Sequence, residues 1–226
     1  MISVPRICIL CVYMLISQQS IAQQDELLVT EEDKVNFLTH QIFVHGIPYK
    51  MASTLEPTAI PILVNILEDR RERGSWTNVV VTLGMIGNDH ATAQLIEFLE
   101  RKEETKVLSR EEYAAKSVVP IALGYIVNKS QSERALNYLV DGASLDGWDR
   151  RNLDWESPYT PQKEERNRQL LYTSILGLGV SGHSTAANLL RILQRSSDED
   201  TKNVATSALE ANQIISNSGL SNYYDK

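Results

Sequence analysis

Residues 76–101 read WTNVVVTLGMIGNDHATAQLIEFLER, and the fold follows from this stretch. Val79, Leu83 and Ile86 fall on one face of a helix, Gly87-Asn88-Asp89 interrupts the pattern, and Ala91, Leu95, Ile96 and Leu99 resume it on a second helix. Glycine takes the positive φ that ends the first helix, while Asn88 or Asp89 supplies the acceptor that caps the second. The unit is a pair of helices joined by a tight turn.

That unit recurs. Leu83-Gly84-Met85-Ile86 returns 40 residues later as Leu123-Gly124-Tyr125-Ile126, and Ile96 and Leu99 return as Leu136 and Leu139. A third copy holds Leu176-Gly177-Leu178-Gly179, followed by Leu189, Leu190 and Leu193; its glycine lies 53 residues beyond Gly124, which predicts an insertion of about 13. An earlier partial copy, Ala59 to Leu67, aligns with Ala91 to Leu99 at a shift of 32. Thr30-Glu31-Glu32-Asp33 reads as a capped helix start leading into Val35, Leu38 and Ile42 and closing at Gly46. Ser197-Asp198-Glu199-Asp200 opens a last helix carrying Val204, Ala208, Leu209 and Ile215. No strand-like alternation competes, so the reading is all-α, about four to five helix pairs over residues 31–216. One such pair cannot bury its apolar stripe alone, and stacked neighbours supply the missing cover. Residues 23–30 read as a flexible lead-in and the polar tail 217–226 as disordered.

The runs Leu83-Gly84-Met85-Ile86-Gly87 followed by Ala91-x-Ala93-x-Leu95-Ile96, Leu123-Gly124-Tyr125-Ile126, and Ala59-Ile60-Pro61-Ile62-Leu63-Val64 resemble HEAT repeats, in particular the short bacterial HEAT-like type also found in phycobilisome lyases. The resemblance covers residues 31–216. It implies a right-handed α-α superhelix, the HEAT or armadillo-like solenoid, in a family made mostly of protein-binding scaffolds with an enzymatic minority. The chain departs from the pattern in the glycine missing from the first copy, in Asn128-Lys129 where a turn glycine is expected, and in the long third interval.

The N-terminus carries one cation, Arg6, then the apolar run Ile7 to Ile16, then Ser20-Ile21-Ala22. A cationic start, a short apolar core and a small-x-small site read as a secretory signal peptide over residues 1–22, cleaved after Ala22. The expected location is secreted or periplasmic, with no stable membrane insertion after cleavage, since a spanning helix needs about 20 apolar residues. Cleavage removes Arg6 and both cysteines, Cys8 and Cys11. The remaining 204 residues hold 21 basic against 29 acidic side chains, a net charge of −8. A cysteine-free chain has no thiol nucleophile, no thiolate metal site and no disulfide, so packing alone must hold it. The acidic balance argues against nucleic acid, which needs a cationic surface.

The insertion at 141–165 is the sequence's break in periodicity. It holds two of the three tryptophans, and its candidate partner-binding residues are Trp148, Asp149, Arg150, Arg151, Trp155 and Tyr159. Tryptophan, tyrosine and arginine anchor interfaces because they join large rigid area to a polar handle. Trp148, Trp155 and Tyr159 are equally suited to tuck under the stack and cover a mismatch between repeats.

Catalytic signals are sparse. His40, His45, His90 and His183 make no i, i+4 pair of the kind a zinc helix needs. Gly177, Gly179 and Gly182 match a dinucleotide fingerprint but follow helical sequence, where packing and turns explain them. Asp141, Asp146, Asp149, Asp154 and Glu156 offer acid and base groups for a glycan, and acidic loops are usually only solvated. The run 68–73 reads as the exposed end of a helix with mixed salt bridges. The sequence therefore points to an exported scaffold that binds a protein or peptide through its concave face and the insertion, with no cofactor and no metal. A structural subunit of an envelope or secretion assembly is the main alternative, and a lyase-like or carbohydrate-active enzyme the weaker one.

Overall fold

The computed structural model describes residues 30–44, 46–159 and 162–224. The signal segment, the lead-in before Thr30 and His45 lie outside them. Among the described residues the chain forms eleven α-helices and no strand. They are α1 (Glu31–His40), α2 (Tyr49–Ser53), α3 (Ile60–Glu68), α4 (Trp76–Ile86), α5 (Asp89–Glu100), α6 (Arg110–Ser130), α7 (Glu133–Gly142), α8 (Leu145–Arg151), α9 (Lys163–Ser181), α10 (Ser184–Leu193) and α11 (Glu199–Tyr224).

Local chemistry sets the boundaries. Thr30 and Asp33 form a reciprocal capping box at α1, and Ser109 and Glu112 form another at α6. The predicted turn after α4 holds: Gly87 takes φ 64° and Asn88 accepts the Ala91 N–H at 2.8 Å. Where Asn128-Lys129 lacks a glycine, α6 runs on to Ser130 and Gln131 adopts the left-handed conformation at φ 56°. Its side-chain amide donates to the carbonyl oxygens of Val127 and Asn128, satisfying acceptors that the helix end leaves open.

The helices form two layers. In the first, α4, α6, α9 and α11 lie side by side in that order; α5, α7 and α10 cover them from the other side and touch one another only marginally. Glycine explains the difference. A Cβ on Gly84 would stand 2.6 Å from the Ala122 carbonyl oxygen, one on Gly124 2.2 Å from that of Gly177, one on Gly177 2.3 Å from that of Pro120, and one on Gly179 2.8 Å from that of Ala208. The repeated Leu-Gly pair is thus a packing device at helix crossings, and of the nucleotide-like spacing Gly177 and Gly179 fall inside α9 while Gly182 closes it at φ 60°. Between the layers lies a continuous core including Leu83, Leu95, Leu99, Leu123, Ile126, Leu139, Ile175, Leu178 and Leu190.

Two expectations are corrected. The insertion is less irregular than its composition suggests, because α8 occupies residues 145–151, capped by Ser144 and closed by Asn152 in the left-handed conformation. The tail is not disordered through its described length. Helix α11 continues to Tyr224, with a break at Gly219, and buries Leu220.

Candidate interaction surface

The six insertion residues divide into a buried set and an exposed set. Trp148 and Trp155 are fully buried, so neither offers area to a partner. The Trp148 indole N–H donates to the Gly142 carbonyl oxygen at 2.7 Å, which fixes α8 against the end of α7. Arg151 lies over both Trp148 and Tyr138, 4.4 and 4.1 Å from the ring centres, and pairs with Asp141 at 2.9 Å. Arg150 also bonds Asp141. Asp149 accepts from the Asn167 amide at 2.9 Å and pairs with Lys163 at 3.2 Å, tying α8 to α9. Only Tyr159, 66% exposed, with Arg150 and part of Asp149, remains at the surface. Tyr159 rests edge-on against Tyr113, with the Arg110 guanidinium above it.

Trp155 sits in a second buried node that sequence reading missed. Its ring has Lys116 Nζ at 5.5 Å and the Arg166 guanidinium at 5.2 Å. Lys116 is fully buried, donates to the carbonyl oxygens of Phe98 and Leu99, and meets the Glu103 carboxylate at 3.0 Å. Burial pushes the Lys116 ammonium pKa down to about 8, against the opposing pull of Glu103. Burial alone would raise Glu103, but Lys116 and Arg101 hold its carboxyl below the usual range. Arg166 donates to the carbonyl oxygens of Leu153 and Trp155 and to Asn167. The loop is further fixed by a short bridge, Glu156 N–H to Lys106 O at 2.6 Å and Leu108 N–H to Glu156 O at 3.2 Å. A cleft of about 210 Å³ remains beside this bridge, lined by Lys106, Glu156, Gln162, Lys163 and Arg166 among others. Its walls mix both signs of charge.

The charge run behaves partly as expected. Helix α3 ends at Glu68, and a 3₁₀ helix spans Arg70–Ser75. Within the run Arg71 pairs with Asp69, while Arg70 reaches Glu104 at 2.8 Å and Arg73 reaches Glu112 at 3.2 Å. The latter two pairs join separate elements. Among the described residues no group of three His, Cys, Asp or Glu side chains is placed to hold a metal ion, and no helix is long and apolar enough to cross a membrane.

A further surface is the open side of the glycine layer. Helical spacing puts Val81 of α4, Val118, Ile121 and Asn128 of α6, Tyr172, Leu176 and Val180 of α9, and Ser207, Ala211 and Ile214 of α11 on the side away from the core. None of these is charged, but the same spacing places Arg110, Glu165 and Asp200 at the N-terminal end of this side, and the charges of Asp198, Asp200, Arg168 and Glu165 act on Tyr172. Leu176 and Ile214 are 38% and 37% exposed. The signal for this face was present in the sequence, since α6 and α9 carry apolar residues on more than one side, which a helix with one water-facing side does not need. No family model, no curated protein and no solved structure matches the chain.

Proposed function

We propose that the chain is an exported HEAT-like solenoid that binds a protein or peptide on the open side of its glycine layer. The carrying observation is the partly apolar row from Val81 through Ile121 and Leu176 to Ile214, with charge gathered at its N-terminal end. Apolar residues gathered on an exposed helix side mark a contact area. Close glycine contacts in one layer and looser contacts in the other support curvature with this side inward. Tyr49 of α2 and Tyr224 of α11, from opposite ends of the stack, both lie against Tyr125 of α6. In a flat layer the axes of α4 and α11 would stand about 25–30 Å apart, and inward bending together with the tail beyond Gly219 closes that gap. Right-handedness rests on the resemblance of the repeats.

The insertion serves this reading differently from the sequence-based expectation. Trp148 and Trp155 hold the stack together, and only Tyr159, Arg150 and Asp149 are left to contribute at its edge. Export rests on the Arg6, Ile7–Ile16 and Ser20-Ile21-Ala22 pattern. Immobilised mature chain should retain a discrete protein from an envelope or secreted fraction. An Ile121→Glu/Leu176→Glu variant with unchanged helical circular dichroism should lose it. Equal retention by both proteins contradicts the reading.

A further inference from the structure

We propose that the surface formed by Tyr49 and Tyr125 is a docking site for a short helical turn bearing leucine and tyrosine four residues apart, and that Leu220–Tyr224 is its resident, displaceable occupant. The proposal rests on reading the inner side of the layer as a docking surface and names the chemistry that side accepts.

Helix α11 does not continue straight to its end. Gly219 takes φ 81° and ψ 162°, a conformation open to glycine and strained for other residues, and a Cβ there would meet nothing within 4 Å. The glycine therefore serves the bend rather than a close contact. Hydrogen bonds on either side are carried by side chains: Ser218 donates to the Ile214 carbonyl oxygen at 2.8 Å, and Asn222 to that of Ser218 at 2.6 Å. Beyond the bend, Leu220 and Tyr224 share one side of the last turn. Leu220 is buried, while Ser221 and Asn222 face solvent.

Tyr224 is held by matched chemistry. Its ring stacks on Tyr49 with centres 5.6 Å apart, and its hydroxyl bonds the Tyr125 hydroxyl. Tyr125 is almost fully buried with the tail in place, although helical spacing puts it in line with Ile121 and Asn128 on the open side of α6. The tail thus covers one end of this row while Leu176 and Ile214 stay accessible. Two anchors on a short segment make a small contact. Tethering supplies an effective concentration in the millimolar range, so the same contact made in trans is weaker and open to exchange.

The test uses a fluorescein-labelled peptide matching residues 214–226, titrated by anisotropy into the mature chain and into the same chain ending at Gly219. The shortened chain should bind saturably and at least tenfold more tightly than the intact one, and Tyr125→Ala in the shortened chain should abolish binding. Should the shortened chain fail to fold, Tyr224→Ala in the full chain releases the same anchor and should raise peptide affinity. Equal binding to intact and opened chains, no binding to the opened chain, or binding indifferent to Tyr125→Ala overturns the proposal. Peptide binding by a chain that retains no envelope or secreted protein would keep this site and remove the scaffold reading; retention of a protein without peptide binding would do the reverse.

Discussion

Trp155 and Lys116 converge on one carbonyl. The Trp155 indole N–H donates to Leu99 O at 2.9 Å and the Lys116 ammonium donates to the same oxygen at 3.2 Å. The last turn of α5 is therefore closed by a loop residue 56 positions away and a helix residue 17 positions away. The orphan carbonyls of a helix end need donors, and here those donors join two neighbouring repeats and the insertion at one point.

Substitutions at this point should cost stability in proportion to what they remove. Trp155→Phe keeps a ring but loses the donor, and should lower stability by about 1–2 kcal/mol. Trp155→Ala adds a cavity and should cost about 3–5 kcal/mol. Urea denaturation measures both. Tyr159→Ala, at an exposed ring, should change stability by less than about 1 kcal/mol.

Lys116 gives the fold a pH signature. Its folded pKa is near 8 and its unfolded value 10.5, so between these the unfolded chain binds the extra proton and stability rises with pH. Below pH 8 both states are protonated and this contribution is flat. The wild type should gain on Lys116→Met between pH 8 and 10 by about 2–3 kcal/mol in paired denaturation curves. A difference independent of pH across that window contradicts the assignment.

The glycine layer predicts a contrast between two glycines. Gly124→Ala forces a methyl group into the α9 backbone and should cost about 2–3 kcal/mol or more, a fall of roughly 5–10 °C in melting temperature. Gly74→Ala meets nothing within 4 Å and has no positive φ, so it should be neutral or slightly stabilising.

Much of this fold was legible because the repeat writes its packing into the sequence. Leu-Gly pairs mark the helix crossings, and Asn88 and Thr30 mark helix starts. What stayed hidden depends on distant partners. Trp148 and Trp155 suit an interface or the core equally well in isolation, and only the folded chain brings Arg151 to one and Lys116 with Arg166 to the other. Helix α8 is under two turns, too short to show a period. The tail looks disordered because Ser216 to Asn222 is polar, yet Leu220 is buried and the Tyr224 ring stacks on Tyr49, far back in the chain.

Site-specific photo-crosslinking tests the docking claim most directly. A photoreactive phenylalanine analogue replaces Leu176 on the open side of the glycine layer or Ile192, 66% exposed on α10 in the opposite layer. After irradiation in the producing cells, the Leu176 position should yield a discrete adduct with another protein and the Ile192 position should not. Adducts from Ile192 alone, or none from either, would contradict the account.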